Sequence, residues 1–355
     1  MEEKKTDLLS LELPELEALL VSMGEPKYRA EQIFVQMHRG VSPEDMTNIG
    51  KALKQKLADT AYFHIPSIEK KLVSAIDGTV KYLFAMRDGN CVESVVMKYK
   101  HGNTICISSQ VGCRMGCAFC ASTIGGKVRD LLPSELLGQI IAAQNDGGER
   151  ISNVVMMGIG EPLDNYDNVV KFLHLVGNEK GLNIGYRHIS LSTCGVVDKI
   201  NRLAEEDLPI TLSISLHASD DETRSSIMPI NKKWNIDALL CACRDYFAKT
   251  GRRISFEYTL IAGKNDSVAA ASKLAELLNR RLRTRSETMP IHVNLIPVNE
   301  VSESGFTHSG KEAVDKFAAT LNKKGIRATV RRKLGADINA SCGQLRRAHE
   351  DNKQN

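Results

Sequence analysis

The chain has 355 residues, enough for a large catalytic core with a small accessory domain. Hydrophobic residues make up 42% and charged residues 25%, and no uncharged apolar run reaches the ~18 residues of a membrane helix, so no segment is expected to span a bilayer. With 47 basic against 43 acidic residues the net charge is +4, and bulk charge alone argues only weakly for a nucleic-acid partner.

The N-terminal stretch MEEKKTDLLSLELPELEALL mixes charges of both signs with interrupted apolar positions, unlike a secretory signal. Nine cysteines, three of them crowded between 113 and 120, suit metal ligands or reactive thiols in a reducing cytoplasm better than a disulfide framework. From Leu8 to about Phe63 apolar residues recur at three- and four-residue spacing, which predicts a small helical domain over residues 1–65. Residues 66–98 alternate apolar and polar positions, broken at Asp77-Gly78 and Asp88-Gly89-Asn90, and read as a β-hairpin extension. From 99 to 335 short strands, NVVMMGI, HISLSTC, ITLSISLH, ISFEYTLI, IHVNLIPV and ATVRRK, alternate with amphipathic helices, the rhythm of a parallel α/β core, either a barrel or a doubly wound sheet. In such cores ligands gather at the carboxyl ends of strands, where GEP, STCG, SLH and PVN fall.

Cys113-Arg-Met-Gly-Cys117-Ala-Phe-Cys120 directly follows the strand TICISSQ. Three thiolates on one tight loop can hold an iron-sulfur cluster and leave one iron with an open coordination site, which implies chemistry rather than simple electron transfer. A structural zinc site normally needs a second ligand pair, and the chain has no second CxxC. Cys241 and Cys243, two apart on a predicted helix, face different directions; Cys91 and Cys194 read as structural.

The CxxxCxxC spacing with Phe119 before the last cysteine resembles the radical S-adenosylmethionine (SAM) signature. The likeness extends through CISSQVGCRMGCAFCAST, MGIGEPLDN, STCG, ISLHA, RSSIMPIN, GRRISFEY, HVNLIPVN and DINASCGQL to the RlmN/Cfr group of RNA adenine methyltransferases, over residues ~90 to 347. The resemblance implies a partial (β/α)6 barrel with a β-extension, a small N-terminal helical domain, and a C-terminal segment, 336–355, that carries the methyl-carrier cysteine. It implies one 4Fe-4S cluster on Cys113, Cys117 and Cys120, and SAM held by Gly160, Glu161, Ser192, Ser215, Leu216, His217 and Asn299. Cys342 corresponds to the methyl carrier, Cys106 to the thiol that resolves the RNA–protein adduct through a transient disulfide, and Glu93 to a proton acceptor. Taken alone, Cys106 reads as a small buried hydrophobe and Glu93 as a solvated strand carboxylate.

Carbon 2 of adenine is electron-poor and carries no lone pair, so direct displacement on SAM by that carbon is closed. In the family two SAM molecules are used per turnover: one methylates the cysteine, and the other initiates radical attack of the resulting methylene on the ring. The partners implied are 23S rRNA at the peptidyl-transferase centre, tRNA beside the anticodon in some relatives, and an electron donor such as flavodoxin or ferredoxin, with the enzyme a monomer. Glu161-Pro162 and Ile296-Pro297-Val298-Asn299 look like the RlmN rather than the Cfr forms, favouring carbon 2 over carbon 8. A radical enzyme for a peptide or metabolite would lack the Cys342 motif, and a zinc-containing RNA-binding protein would lack iron. Basic clusters at Arg252-Arg253, Arg280 to Arg285, Arg331 to Lys333 and Arg346-Arg347 are candidate phosphate contacts, none assigned individually.

Overall fold

The computed structural model describes residues 5–283, 289–298, 305–340 and 345–346. The chain begins with a short strand, β1 (Thr6–Asp7), and the helices α1 (Leu13–Ser22), α2 (Tyr28–Met37) and α3 (Lys51–Thr60), then returns as β2 (Ala61–Tyr62), parallel to β1. The helices bury Leu16, Leu20, Ile33, Phe34, Leu53 and Leu57, the positions the three-to-four spacing selects. Asp7 ties this part to the rest by accepting from the Ser134 hydroxyl at 2.5 Å.

An antiparallel meander follows, β3 (Ser67–Val73), β4 (Val80–Ala85) and β5 (Cys91–Tyr99), and leads into β6 (Gly102–Cys106). A two-stranded ribbon, β7 (Gln110–Gly112) with β8 (Lys127–Asp130), brackets the cysteine loop. Thereafter strands and helices alternate: α4 (Pro133–Gly147), β9 (Ile151–Met156), α5 (Tyr166–Gly177), β10 (Ile189–Thr193), α6 (Val197–Leu203), β11 (Thr211–Ser215), α7 (Asp221–Ile227), α8 (Ile236–Thr250), β12 (Ile254–Leu260), α9 (Val268–Leu282), β13 (Ile291–Pro297), α10 (Lys311–Lys323) and β14 (Arg327–Val330). The crossover helices carry local start and stop signals. Asn235 caps α8 by accepting from Ala238 N at 2.9 Å, Ser267 caps α9 in the same way, and α8 ends on Gly251 in the left-handed region.

The described residues form one ten-stranded sheet in the order β14-β13-β12-β11-β10-β9-β6-β5-β4-β3, parallel from β14 to β6 and antiparallel from there to β3. The six strands read from the sequence are β9 to β14. β12 is buried along its whole length, as a strand covered on both faces must be. The sheet is rolled: Cys106 at the end of β6 and Pro297 at the end of β13, far apart in strand order, line one cavity. Among the described residues it does not close by strand pairing, since β14 and β3 are both edges. A strap after β14 spans the gap instead. Gly335 N donates to Asp77 at 2.8 Å, and the Asp337 carboxylate accepts from Ser74 Oγ at 2.7 Å and Ala75 N at 2.8 Å, all in the β3–β4 turn.

Candidate active site

The cysteine loop leaves β7 at Gly112, whose φ of +77° admits no side chain; a Cβ there would stand 1.9 Å from Gly126 O. Cys113 N donates to Gly126 O at 3.1 Å, Cys120 N to Cys117 O at 3.1 Å, and Ala118 N to Ile227 O at 2.9 Å, so the loop is fixed against both the ribbon and the end of α7. The three thiols line one cavity of about 260 Å³. Burial pushes the Cys113 thiol up to about 12, and burial with the neighbouring thiols raises Cys117. Among the described residues no three His, Cys, Asp or Glu side chains converge as ligands of a single metal ion. Three soft donors spread around one cavity are the donor set of a polynuclear cluster, so the residues fit an iron-sulfur centre.

The same cavity is lined by Gly160, Glu161, Ser192, Ser215 and His217 from the ends of β9, β10 and β11. Gly160, at φ +108°, lies so close to the start of β7 that a Cβ would be 2.7 Å from Gln110 N. Glu161 is buried, with Oε2 accepting from Cys194 N at 2.7 Å and Oε1 from Leu163 N at 3.0 Å. Burial nevertheless drives its carboxyl above the usual range, so a cationic ligand such as an ammonium group would be favoured there. His217, itself in the left-handed region at φ 56°, accepts from Thr259 N at Nδ1 (2.9 Å), which leaves its proton on Nε2; burial holds it neutral, down to about 3. Its ring meets Phe119 edge-on at 5.0 Å, joining the cysteine loop to β11. Among the described residues the buried Ser109 Oγ has no hydrogen-bond partner.

Leu216 is fully buried in the core and contributes main chain only: its N–H donates to Glu257 O and its carbonyl accepts from Arg224. Asn299 and Cys342 lie outside the described residues, as do Arg285 and Arg347. Cys194 is buried in the core, as a structural residue would be, and also lines the cavity, its backbone N–H held by Glu161. Four methionines, Met115, Met156, Met157 and Met228, and the buried Glu257 also line it and escaped the sequence reading. Glu257 had a signal, a carboxylate inside the otherwise apolar strand ISFEYTL; it accepts from Asn294 Nδ2 at 2.7 Å.

A second cavity, of about 590 Å³, shares the wall Met157, Ile296, Pro297, Val298 and Arg331 with the first. Cys106 lines it, together with the basic run Arg331, Arg332 and Lys333. Glu93 is not solvated. Its side chain is 3% exposed, with Oε2 3.0 Å from the ammonium of Lys81, itself 1% exposed, and Oε1 accepting from Arg346 N at 2.7 Å. Lys81 also donates to Asn339 O at 3.0 Å. The two buried charges therefore hold the C-terminal segment at residues 339 and 346. The partner expected for Cys106 in a transient disulfide, Cys342, is outside the described residues.

The radical SAM superfamily model matches residues 107–275, and the ribosomal RNA large subunit methyltransferase N-terminal domain model matches residues 6–63. A probable dual-specificity RNA methyltransferase RlmN of Alkaliphilus oremlandii is 54% identical over 350 residues, covering 98% of this chain and 100% of that protein. The chain belongs to the RlmN family. A probable dual-specificity RNA methyltransferase RlmN of Clostridium novyi is 51% identical over 343 residues, 96% of this chain and 98% of that protein. Among solved structures, a radical SAM methyltransferase from Sphaerobacter thermophilus superposes with a TM-score of 0.89 at 40% identity, covering 96% of this chain and 98% of that one. The RlmN-family chain is thus a radical SAM methyltransferase that uses a 4Fe-4S cluster and SAM, on a radical SAM α/β fold preceded by an RlmN-type N-terminal domain. Among its described residues no helix is long and apolar enough to cross a membrane.

Proposed function

We propose that this enzyme methylates carbon 2 of an adenosine in 23S rRNA at the peptidyl-transferase centre, and of tRNA beside the anticodon, with two SAM molecules consumed per turnover. The observation that carries the reading is the shared wall between the two cavities. One is lined by the three cluster cysteines, Glu161 and His217; the other by a thiol, Cys106, and a basic rim that suits RNA phosphates. A base extruded from a loop, at a cost of a few kcal/mol, would enter the second cavity.

In this reading Cys113, Cys117 and Cys120 hold the cluster; Gly160, Glu161, Ser192, Ser215, the Leu216 backbone, His217 and Asn299 hold SAM. The cluster, when loaded, supplies the electron that cleaves SAM reductively. Cys342 takes the methyl group and presents it to the ring, Glu93 accepts the ring proton, and Cys106 attacks the Cys342 sulfur to release the RNA, leaving a disulfide that external thiols reduce. Residues 1–65 form a domain that contributes to RNA binding, 66–98 a β-extension, 99–335 the barrel and 336–355 the methyl-carrier segment. The enzyme works as a cytoplasmic monomer served by a flavodoxin or ferredoxin.

The test is anaerobic reconstitution with methyl-deuterated SAM and an unmodified 23S rRNA fragment, followed by digestion and mass spectrometry. Labelled 2-methyladenosine is expected; 8-methyladenosine would place the enzyme with the Cfr-type carbon-8 activity, and no methyladenosine beside intact SAM cleavage would sink the rRNA substrate. Cys342→Ala should give no product, whereas Cys106→Ala should accumulate a covalent RNA–protein adduct.

A further inference from the structure

Arg224 lies on α7 within RSSIMPIN and is the largest fully buried side chain among the described residues. Its guanidinium donates from Nε to Leu216 O at 3.1 Å, from Nη2 to Cys194 O at 2.6 Å and Ser215 O at 3.1 Å, and from Nη1 to Asn231 Oδ1 at 3.0 Å. Every one of these acceptors is neutral, and among the described residues no carboxylate stands within ion-pair distance of it. Burying an uncompensated guanidinium costs several kcal/mol, and neutral donors could satisfy the same carbonyls far more cheaply. Asp221 is linked to it through Asn231, whose Nδ2 donates to Asp221 Oδ1 at 2.9 Å, so the charge is partly offset on that side and is open to a further counter-charge on the side of the cavity.

Two of its acceptors, Cys194 and Ser215, belong to residues that line the cavity of the cluster cysteines. The end of its own helix grips the cysteine loop, since Ile227 O accepts from Ala118 N at 2.9 Å, between Cys117 and Cys120. A 4Fe-4S core bound by three thiolates carries one net negative charge when oxidised and two when reduced; SAM contributes equally to both states. A fixed cation favours the reduced form, and at this depth bulk salt screens it little.

We propose that Arg224 is an electrostatic positioning residue that raises the reduction potential of the cluster, and so eases its one-electron reduction by the external donor. The proposal rests on the cluster and is independent of which RNA is methylated.

The experiment compares wild type with Arg224→Gln, Arg224→Met and Arg224→Lys after anaerobic reconstitution, with iron and sulfide assayed and the reduced cluster followed by electron paramagnetic resonance during a redox titration with mediators and dithionite. At the wild-type midpoint the two neutral variants should show a reduced-to-oxidised ratio about tenfold lower, the effect of a unit charge over about 10 Å at an effective dielectric near 20. Arg224→Lys, which keeps the charge and loses the fork, should stay within about twofold of wild type. An unchanged ratio in either neutral variant with a full cluster overturns the proposal, as does a lysine variant that falls as far as the glutamine one. If the neutral variants hold no iron while the lysine variant does, the charge serves cluster assembly rather than potential and the proposal fails; if none of the three holds iron, the fork of hydrogen bonds is what matters and it fails as well.

Discussion

Replacing Lys81 by methionine keeps the aliphatic stem but removes the ammonium that stands 3.0 Å from Glu93 and 3.0 Å from Asn339 O. Both charged side chains are almost wholly buried, so the loss is not softened by water. Breaking a buried pair by deleting one partner costs about 3 to 5 kcal/mol, a large part of the ~5 to 15 kcal/mol that holds a typical domain folded. Lys81→Met combined with Glu93→Leu removes both charges and should recover most of that loss, because two apolar groups of similar volume carry no desolvation penalty. The cycle is measured by anaerobic urea unfolding, followed through Trp234, the one tryptophan of the chain. Hydrogen exchange at residues 334–340 should accelerate in the single variant, since Asn339 loses its tie. A single variant within about 1 kcal/mol of wild type, or a double variant as unstable as the sum of its parts, would refute the reasoning.

Gly112→Ala should abolish cluster assembly, seen as loss of iron and sulfide with the far-ultraviolet circular dichroism retained, because the new Cβ would collide with Gly126 O at the exit of the cysteine loop. Burial holds His38 down to about 4 against its ordinary 6.5, so it is neutral when folded while the unfolded chain takes up a proton below 6.5. Stability is therefore lost as pH falls from 6.5 towards 4, by about 2 kcal/mol at pH 5. His38→Phe should remove that slope in urea unfolding at pH 7 and pH 5; equal slopes in the two proteins would count against it. Glu161→Gln keeps the acceptor for Cys194 N but loses the anion, and should weaken SAM binding about tenfold by equilibrium dialysis, the order of one charge-assisted hydrogen bond; unchanged affinity would remove Glu161 from the ligand's ammonium.

The parallel strands were legible because their apolar runs are short, regularly spaced and punctuated at the carboxyl ends, and the cysteine loop because its chemistry is contained in eight consecutive residues. What stayed hidden depends on distant pairing. Lys81 sits in VKYLFA, where alternation reads it as a solvent-facing position, and only the meander's register against β5 and the return of the C-terminal strap bury it beside Glu93. Glu93 was misread for the same reason, its environment being built by a segment that lies far off in the chain. Arg224 carried a visible motif, yet nothing local separates a buried guanidinium from an exposed one on the short helix DETRSSI.

The unpaired edges of the sheet bear on how a large polyanion reaches so enclosed a centre. A cylinder closed by strand pairing would have to break a run of backbone hydrogen bonds to widen its mouth. Among the described residues the seam between β14 and the meander is held by side-chain and turn contacts at Asp77, Asp337, Ser74, Lys81 and Glu93 and by Leu334, Ala340 and Leu345 packed on the meander, and not by a ladder of backbone bonds. A seam of that kind can part along one line while the strands bearing the cluster and SAM residues keep their register, so breadth of RNA substrate need not come at the expense of a rigid radical site.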